Sequence, residues 1–187
     1  LDADTLLAPD FPDDMRPRLE PRSFFLADPC PHDLSGMVVC ARADFDGIGG
    51  YDELFEGWGS EDKDLYLRLS RAGCRQAHFP AAQTGFISHG DDMRTRHHAV
   101  ADRFLSLRIN GMYLQIKSDL ALLIGKAELD LRDRQELYAR IRQRVLDAPH
   151  APARMDVSLP RALAFTQPPG WRLHRTIRYS FAPDTAH

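Results

Sequence analysis

The twenty residues GGYDELFEGWGSEDKDLYLR, positions 49–68, constrain the fold more tightly than any other stretch of the 187-residue chain. Glycines such as Gly49, Gly50, Gly57 and Gly59 permit tight turns and let a ligand approach the backbone closely. Ser60 is a good N-cap, and Glu61, Asp62 and Asp64 then crowd a first turn where the helix dipole favours anions. Leu65, Leu69 and Ala72 share one side and Gly73 can terminate the element, so the spacing predicts a helix after Ser60. Trp58 offers a flat apolar face to a sugar ring, and with two carboxylates at a helix start the combination suits a carbohydrate site. Plainer readings stand beside it. A tryptophan is more often a core aromatic, and acids at a helix start are often capping alone.

Around this run the patterning is mixed. Residues 8–31 are rich in Pro and Asp and read mostly as loop, with one short strand at 23–26. Residues 36–41 are apolar and β-branched and suit a buried strand, and 42–48 a brief helical turn stopped by Gly49-Gly50. Two short strands are expected at 76–79 and 84–88, with a polar loop over 89–98. Residues 99–147 change to Leu, Ala, Arg and Glu at helical spacing, read as two or three amphipathic helices broken at Asn110-Gly111 and Gly125. An irregular tail follows Pro149.

Composition excludes more than it selects. Lys and Arg total 24 against 27 for Asp and Glu, a net charge of -3, so no global field attracts nucleic acid. Cys30, Cys40 and Cys74 form no C-x-x-C pair and read as small buried residues in a reducing compartment. The longest apolar run, 120–124, is far too short to span a bilayer. Arg greatly outnumbers Lys, found only at Lys63, Lys117 and Lys126, which points to a GC-rich bacterial source. The Arg-rich stretch 140–144 reads first as a solvated helix face and second as a contact for an anionic membrane or another subunit.

The run at 49–68 resembles the signature G-G-F/Y-D-E-x-F/Y-x-G-W-G-x-E-D-x-D-L-x-x-R of inverting GT-A glycosyltransferases. The relatives are of the β-1,4-galactosyltransferase, chondroitin polymerase and polypeptide N-acetylgalactosaminyltransferase type. The resemblance covers about half of the chain. It implies an α/β fold, a GT-A-like mixed sheet, partial because the nucleotide-binding strands would lie before residue 1, with a C-terminal helical extension. Residues 1–98 would be the C-terminal half of the catalytic domain, and 99–187 the extension and tail. The chain would then be a fragment, its opening Leu1-Asp2-Ala3-Asp4 the end of a strand, with an exposed apolar sheet edge nearby. Ser60 departs from the family by replacing a glycine common in relatives.

The resemblance further implies Mn2+ or Mg2+ held by the D-x-D residues Asp2 and Asp4 and by His89 on a downstream strand end. Asp44-Phe45-Asp46 and Asp62-Lys63-Asp64 also satisfy D-x-D, but only Asp2 and Asp4 precede the glycine-tryptophan run. By motif position Asp62 would be the general base, while Gly50, Trp58, Gly59, Glu61 and Asp64 would contact substrate, with Glu61 and Asp64 orienting acceptor hydroxyls or bracing the turn. Arg94, in a basic cluster with Arg96, His97 and His98, would belong to a lid over the donor diphosphate. The expected partners are a UDP-sugar donor and a carbohydrate acceptor. The expected location is a bacterial cytoplasm, with a peripheral contact to the inner face of the plasma membrane, in surface polysaccharide synthesis. One rival is a non-catalytic carbohydrate-binding or assembly module derived from this fold. Another is a metal-dependent hydrolase on Asp2, Asp4 and His89, which lacks a second metal cluster.

Overall fold

The computed structural model describes residues 4–30, 36–87, 100, 102–158 and 176–182. The chain divides into two compact units, Leu1–Glu53 with Ser60–His97, and Leu54–Gly59 with His98–His187. The architecture is mixed α/β, with small sheets and five α-helices among the described residues.

In the first unit a three-stranded sheet is ordered β3-β2-β4, with β2 (Ser23–Asp28) central between β3 (Val38–Cys40) and β4 (Arg75–Pro80). β2 runs antiparallel to β3, with Phe25 opposite Val39, and parallel to β4, with Phe25 opposite Ala77. A strand alternates its side chains, so β2 serves two cores. Phe25 and Ala27 pack with Phe11 and Met15 of helix α1 (Phe11–Met15) and with Phe79. Phe24 packs instead with Leu65, Leu69 and Cys74. Burying each of these phenylalanines contributes roughly 2 kcal/mol. Helix α1 replaces loop expected over 8–31, because its Phe11 and Met15, four apart, complete that core.

Helix α2 (Arg42–Gly47) follows β3, and helix α3 (Glu61–Arg71) leads into β4. Ser60 is not a side-chain cap: it lies at φ 78 and its hydroxyl makes no cap hydrogen bond. A left-handed backbone is natural for glycine and strained for serine, so the turn entering the helix is what holds Ser60 there. The far end of α3 closes on Gly73 at φ 84, with Cys74 N–H donating to Leu69 O at 3.0 Å and Arg22 Nη2 donating to Ala72 O at 2.7 Å. Strands β1 (Thr5–Leu7) and β5 (Thr84–Phe86) form a separate antiparallel pair. A strand follows Asp4, where Thr5 and Leu6-Leu7 find their ladder partners in 84–86; the strand end expected over residues 1–3 lies outside the described residues. Leu6, Leu7, Phe86 and Ile87 of this region are exposed.

In the second unit, helix α4 (Arg103–Leu123) starts at Asp102, whose carboxylate accepts from Phe104 N at 2.8 Å and Leu105 N at 3.2 Å. It runs unbroken through Asn110-Gly111 and stops before Gly125, at φ 67, where Lys126 N–H returns to Ala121 O. Helix α5 (Leu131–Asp147) packs Leu137, Tyr138, Ile141 and Val145 into one core with Ile109, Met112, Tyr113 and Ile116 of α4. The expected irregular tail instead contains β6 (Ala153–Ser158) paired antiparallel with β7 (Thr176–Phe181). Ala153, Met155 and Val157 alternate inward onto the same core. No helix among the described residues is long and apolar enough to cross a membrane. Cys74 is buried as expected, but Cys40 is only half-buried and Cys30 is exposed.

Candidate active site

Asp62 lies in the first turn of α3, half-buried, and its Oδ1 accepts a hydrogen bond from the Tyr51 hydroxyl at 3.1 Å. Tyr51 is itself wedged edge-on against Phe45, ring centroids 5.9 Å apart. The turn that delivers Tyr51 depends on Gly50, at φ 68, where an added Cβ would meet Phe45 Cε1 at 3.0 Å. Gly50 is buried and shapes the turn. A half-buried carboxylate at a helix N-terminus, hydrogen-bonded by a neutral donor, is placed where it can accept a proton from a neighbouring hydroxyl.

Asp64, two residues on, is 1% exposed, and its Oδ2 accepts from Arg68 Nε at 2.7 Å. Arg68, also buried, donates through Nη1 to Ile48 O at 2.9 Å. This buried ion pair ties the start of α3 to the end of α2. Of the two roles expected for Asp64, bracing the turn is the one its surroundings support. Asp52 is a second buried carboxylate, with an oxygen within 4.8 Å of one on Asp64. Glu61 is half-buried beside Asp62. Burial raises the thiol pKa of Cys40 and of Cys74, keeping both protonated and weak as nucleophiles.

Trp58 and its flanking glycines belong to the second unit, where the segment Leu54–Gly59 is clamped by two helices. Trp58 N–H donates to Ser106 Oγ at 2.8 Å, and Ser106 Oγ donates to Glu56 O at 3.3 Å. Asn110 Nδ2 donates to Glu56 O at 3.1 Å and Trp58 O at 3.3 Å. Tyr138 from α5 accepts from Glu56 N–H at 3.0 Å and donates to Asn110 Oδ1 at 3.0 Å. Burial, the largest influence, pushes the Tyr138 pKa up to about 12, so the phenol stays a neutral donor at physiological pH. An aromatic ladder of Phe55, Tyr113 and Tyr138, each step 5.1 Å between centroids, backs the segment.

Both glycines beside Trp58 hold a left-handed backbone that a side chain would strain, and at Gly57 the space is taken as well. A Cβ on Gly57, at φ 82, would lie 2.0 Å from Ser106 Oγ, and one on Gly59, at φ 95, would lie 2.8 Å from Leu107 Cδ1. The indole does not present two bare faces: the Arg103 guanidinium lies over the ring, 3.9 Å from its centroid. A sugar stacking on Trp58 has to use the opposite face. Lys117, 2% exposed, is held by Glu128 at 2.9 Å and by the rings of Phe55 and Tyr113, 5.4 Å from each centroid.

Of the expected metal ligands, Asp4 is half-buried next to β1, and its carbonyl accepts from Ile87 N–H at 2.8 Å. Asp2, His89 and Arg94 lie outside the described residues. Sequence reasoning missed Tyr51 as a partner of Asp62, and missed Ser106, Asn110 and Tyr138 altogether. A signal was present. Ser106 and Asn110 sit four apart, one turn, on the buried side of an otherwise apolar helix pattern, where polar side chains need partners.

Residues 19–97 match the family described as the N-terminal domain of galactosyltransferase, a span of less than half of the chain. No curated protein and no solved structure matches the chain. At a coarse level the match supports a GT-A-like glycosyltransferase family, and with it transferase chemistry on a nucleotide-sugar donor and a carbohydrate acceptor.

Proposed function

We propose that this chain carries the catalytic part of a metal-dependent inverting glycosyltransferase, moving a hexosyl or N-acetylhexosaminyl unit from a UDP-sugar to a carbohydrate hydroxyl in bacterial surface polysaccharide synthesis. The observation that carries the reading is Asp62, half-buried at the start of α3 with one oxygen fixed by Tyr51 inside the family-matched span. In an inverting transfer the Asp62 carboxylate takes the proton of the acceptor hydroxyl. That oxygen attacks the anomeric carbon, and the bond to the nucleotide diphosphate breaks on the opposite face. Glu61 orients the acceptor, and Trp58 and Gly59 face a sugar ring.

The donor set Asp2, Asp4 and His89, two hard carboxylates and an imidazole, fits Mn2+ or Mg2+. Such an ion supplies charge neutralisation to the departing diphosphate. Arg94 would assist on the same diphosphate. The reading carries a cytoplasmic site of action, at the inner face of the plasma membrane.

The test is UDP release by the full-length protein with a panel of UDP-hexoses and UDP-N-acetylhexosamines, Mn2+ and saccharide acceptors. Acceptor-dependent release that is lost on chelation and restored by Mn2+ is expected. Saccharide binding without release under any pairing would favour the non-catalytic carbohydrate module instead.

A further inference from the structure

We infer that Ser106, Asn110 and Tyr138 are positioning residues for substrate binding, so that the C-terminal helices α4 and α5 act as the scaffold of the Gly57-Trp58-Gly59 loop. The inference rests on the proposed reading of that loop as sugar-facing. It starts from how completely the loop backbone is accounted for. Glu56 N–H, Glu56 O, Trp58 N–H and Trp58 O are each bonded by one of three side chains. All three of those side chains are buried, Ser106 at 1%, Asn110 at 0% and Tyr138 at 6% exposure. A loop whose only task was to connect elements would bond its backbone to water. Here two helices instead spend buried polar groups on four backbone atoms either side of one tryptophan.

The geometry admits little play. Asn110 gives both amide protons to loop carbonyls while its own oxygen is held by Tyr138, so its amide orientation is fixed from three sides. Ser106 Oγ both accepts from Trp58 N–H and sits where a Cβ on residue 57 would be, so serine and glycine determine each other. Arg103, one turn before Ser106–Leu107 on the same helix, lies over the indole and fixes one of its faces. The Trp58 plane is therefore set by α4, and the free energy of arranging the loop is met in folding rather than at sugar binding.

Trp58 and Trp171 are the two tryptophans of the chain, so Trp171→Phe leaves Trp58 as sole indole emitter. In that background Ser106→Ala and Tyr138→Phe are compared with Ser118→Ala, a buried serine of α4 outside the clamp. Two quantities are read: acrylamide quenching of Trp58, and transfer kinetics with the donor–acceptor pair that releases UDP fastest in the screen above. Each clamp variant should raise quenching roughly twofold. Each should also raise KM for a sugar substrate roughly tenfold, the worth of about one hydrogen bond, with kcat changed less than threefold. Ser118→Ala should change neither. Unchanged KM in clamp variants that keep the parent circular dichroism overturns the inference and leaves the catalytic reading intact. Unchanged quenching overturns it even without an assay. Raised quenching in a protein whose parent transfers no sugar sinks the catalytic reading and leaves the loop-holding role standing. Should Tyr138→Phe fail to fold, Ser106→Ala, which removes one oxygen, decides by the same two readings.

Discussion

The first turn of α3 and the segment Leu54–Gly59 are adjacent in sequence, yet they are fixed by different chemistry. At α3 a buried ion pair, Asp64 with Arg68, anchors the turn, and one phenol steadies a half-exposed Asp62. At Leu54–Gly59 the holding groups are neutral, deeply buried and mutually dependent. The difference follows from what each region has to leave available. A group that exchanges a proton needs contact with solvent and substrate, and Asp62 is accordingly only half-buried. A platform that only has to keep its orientation can have its backbone tied at every polar atom. A charge left alone in a low-dielectric interior costs more than a lost neutral hydrogen bond, so the two regions should fail with different severity.

The largest stability effect is expected at the ion pair. Asp64→Ala removes the carboxylate that holds the buried Arg68 guanidinium through Nε, and should lower unfolding free energy by about 3–5 kcal/mol in urea titrations. A loss below about 1 kcal/mol together with a raised acceptor KM would instead make Asp64 a substrate contact. Next is Gly57→Ala, which combines a left-handed backbone at φ 82 with a Cβ 2.0 Å from Ser106 Oγ. It should cost about 2–4 kcal/mol. Gly47→Ala, a glycine in α2 with open space around its Cβ position, should be neutral or stabilising by up to about 1 kcal/mol. Equal costs at the two glycines would remove the steric argument for the clamp.

The smallest of these effects is a dependence on alkaline pH. Tyr138 is raised to about 12 in the folded chain, whereas an unfolded tyrosine titrates near 10. Between those values the unfolded state holds fewer protons, so stability falls as pH rises. That contribution is fully present below about 10 and amounts to at most about 2 kcal/mol, given that the phenol is not wholly sealed from water. Tyr138→Phe should flatten the decline between pH 10 and 12 by about one proton's slope in thermal melts. A decline identical to the parent's would mean that Tyr138 is not desolvated in its clamp.

How far the sequence foretold these features varied with how local their causes are. Helix α3 was legible because its apolar spacing and terminating Gly73 lie within one short stretch. Ser60 misled, because a serine before acidic residues looks like a cap, whereas the positive φ is imposed by the turn entering the helix. Asn110-Gly111 was expected to break the helix, and it does not. The Asn110 amide is consumed by the distant Glu56, Trp58 and Tyr138, and the roughly 1 kcal/mol cost of Gly111 is absorbed by the packing of a 21-residue helix. The alternation Ala153, Met155, Val157 was visible, but its partner strand lies some twenty residues on, and no local rule links the two. Asp62 was singled out from the motif, as a proposal that the transfer assay has to test. Tyr51 and the clamp were not, since a hydrogen bond spanning 11 to 82 residues leaves no periodic trace.

The central claim, that Asp62 is the general base, is tested most directly by the transfer rate of full-length Asp62→Asn at saturating donor, acceptor and Mn2+. Asparagine keeps the oxygen that accepts from Tyr51 and the shape of the turn, but cannot take the acceptor proton. The variant should fold, still bind its UDP-sugar and transfer roughly a hundredfold to ten-thousandfold more slowly. Transfer near the parent rate would reduce Asp62 to a helix-start carboxylate and contradict the account.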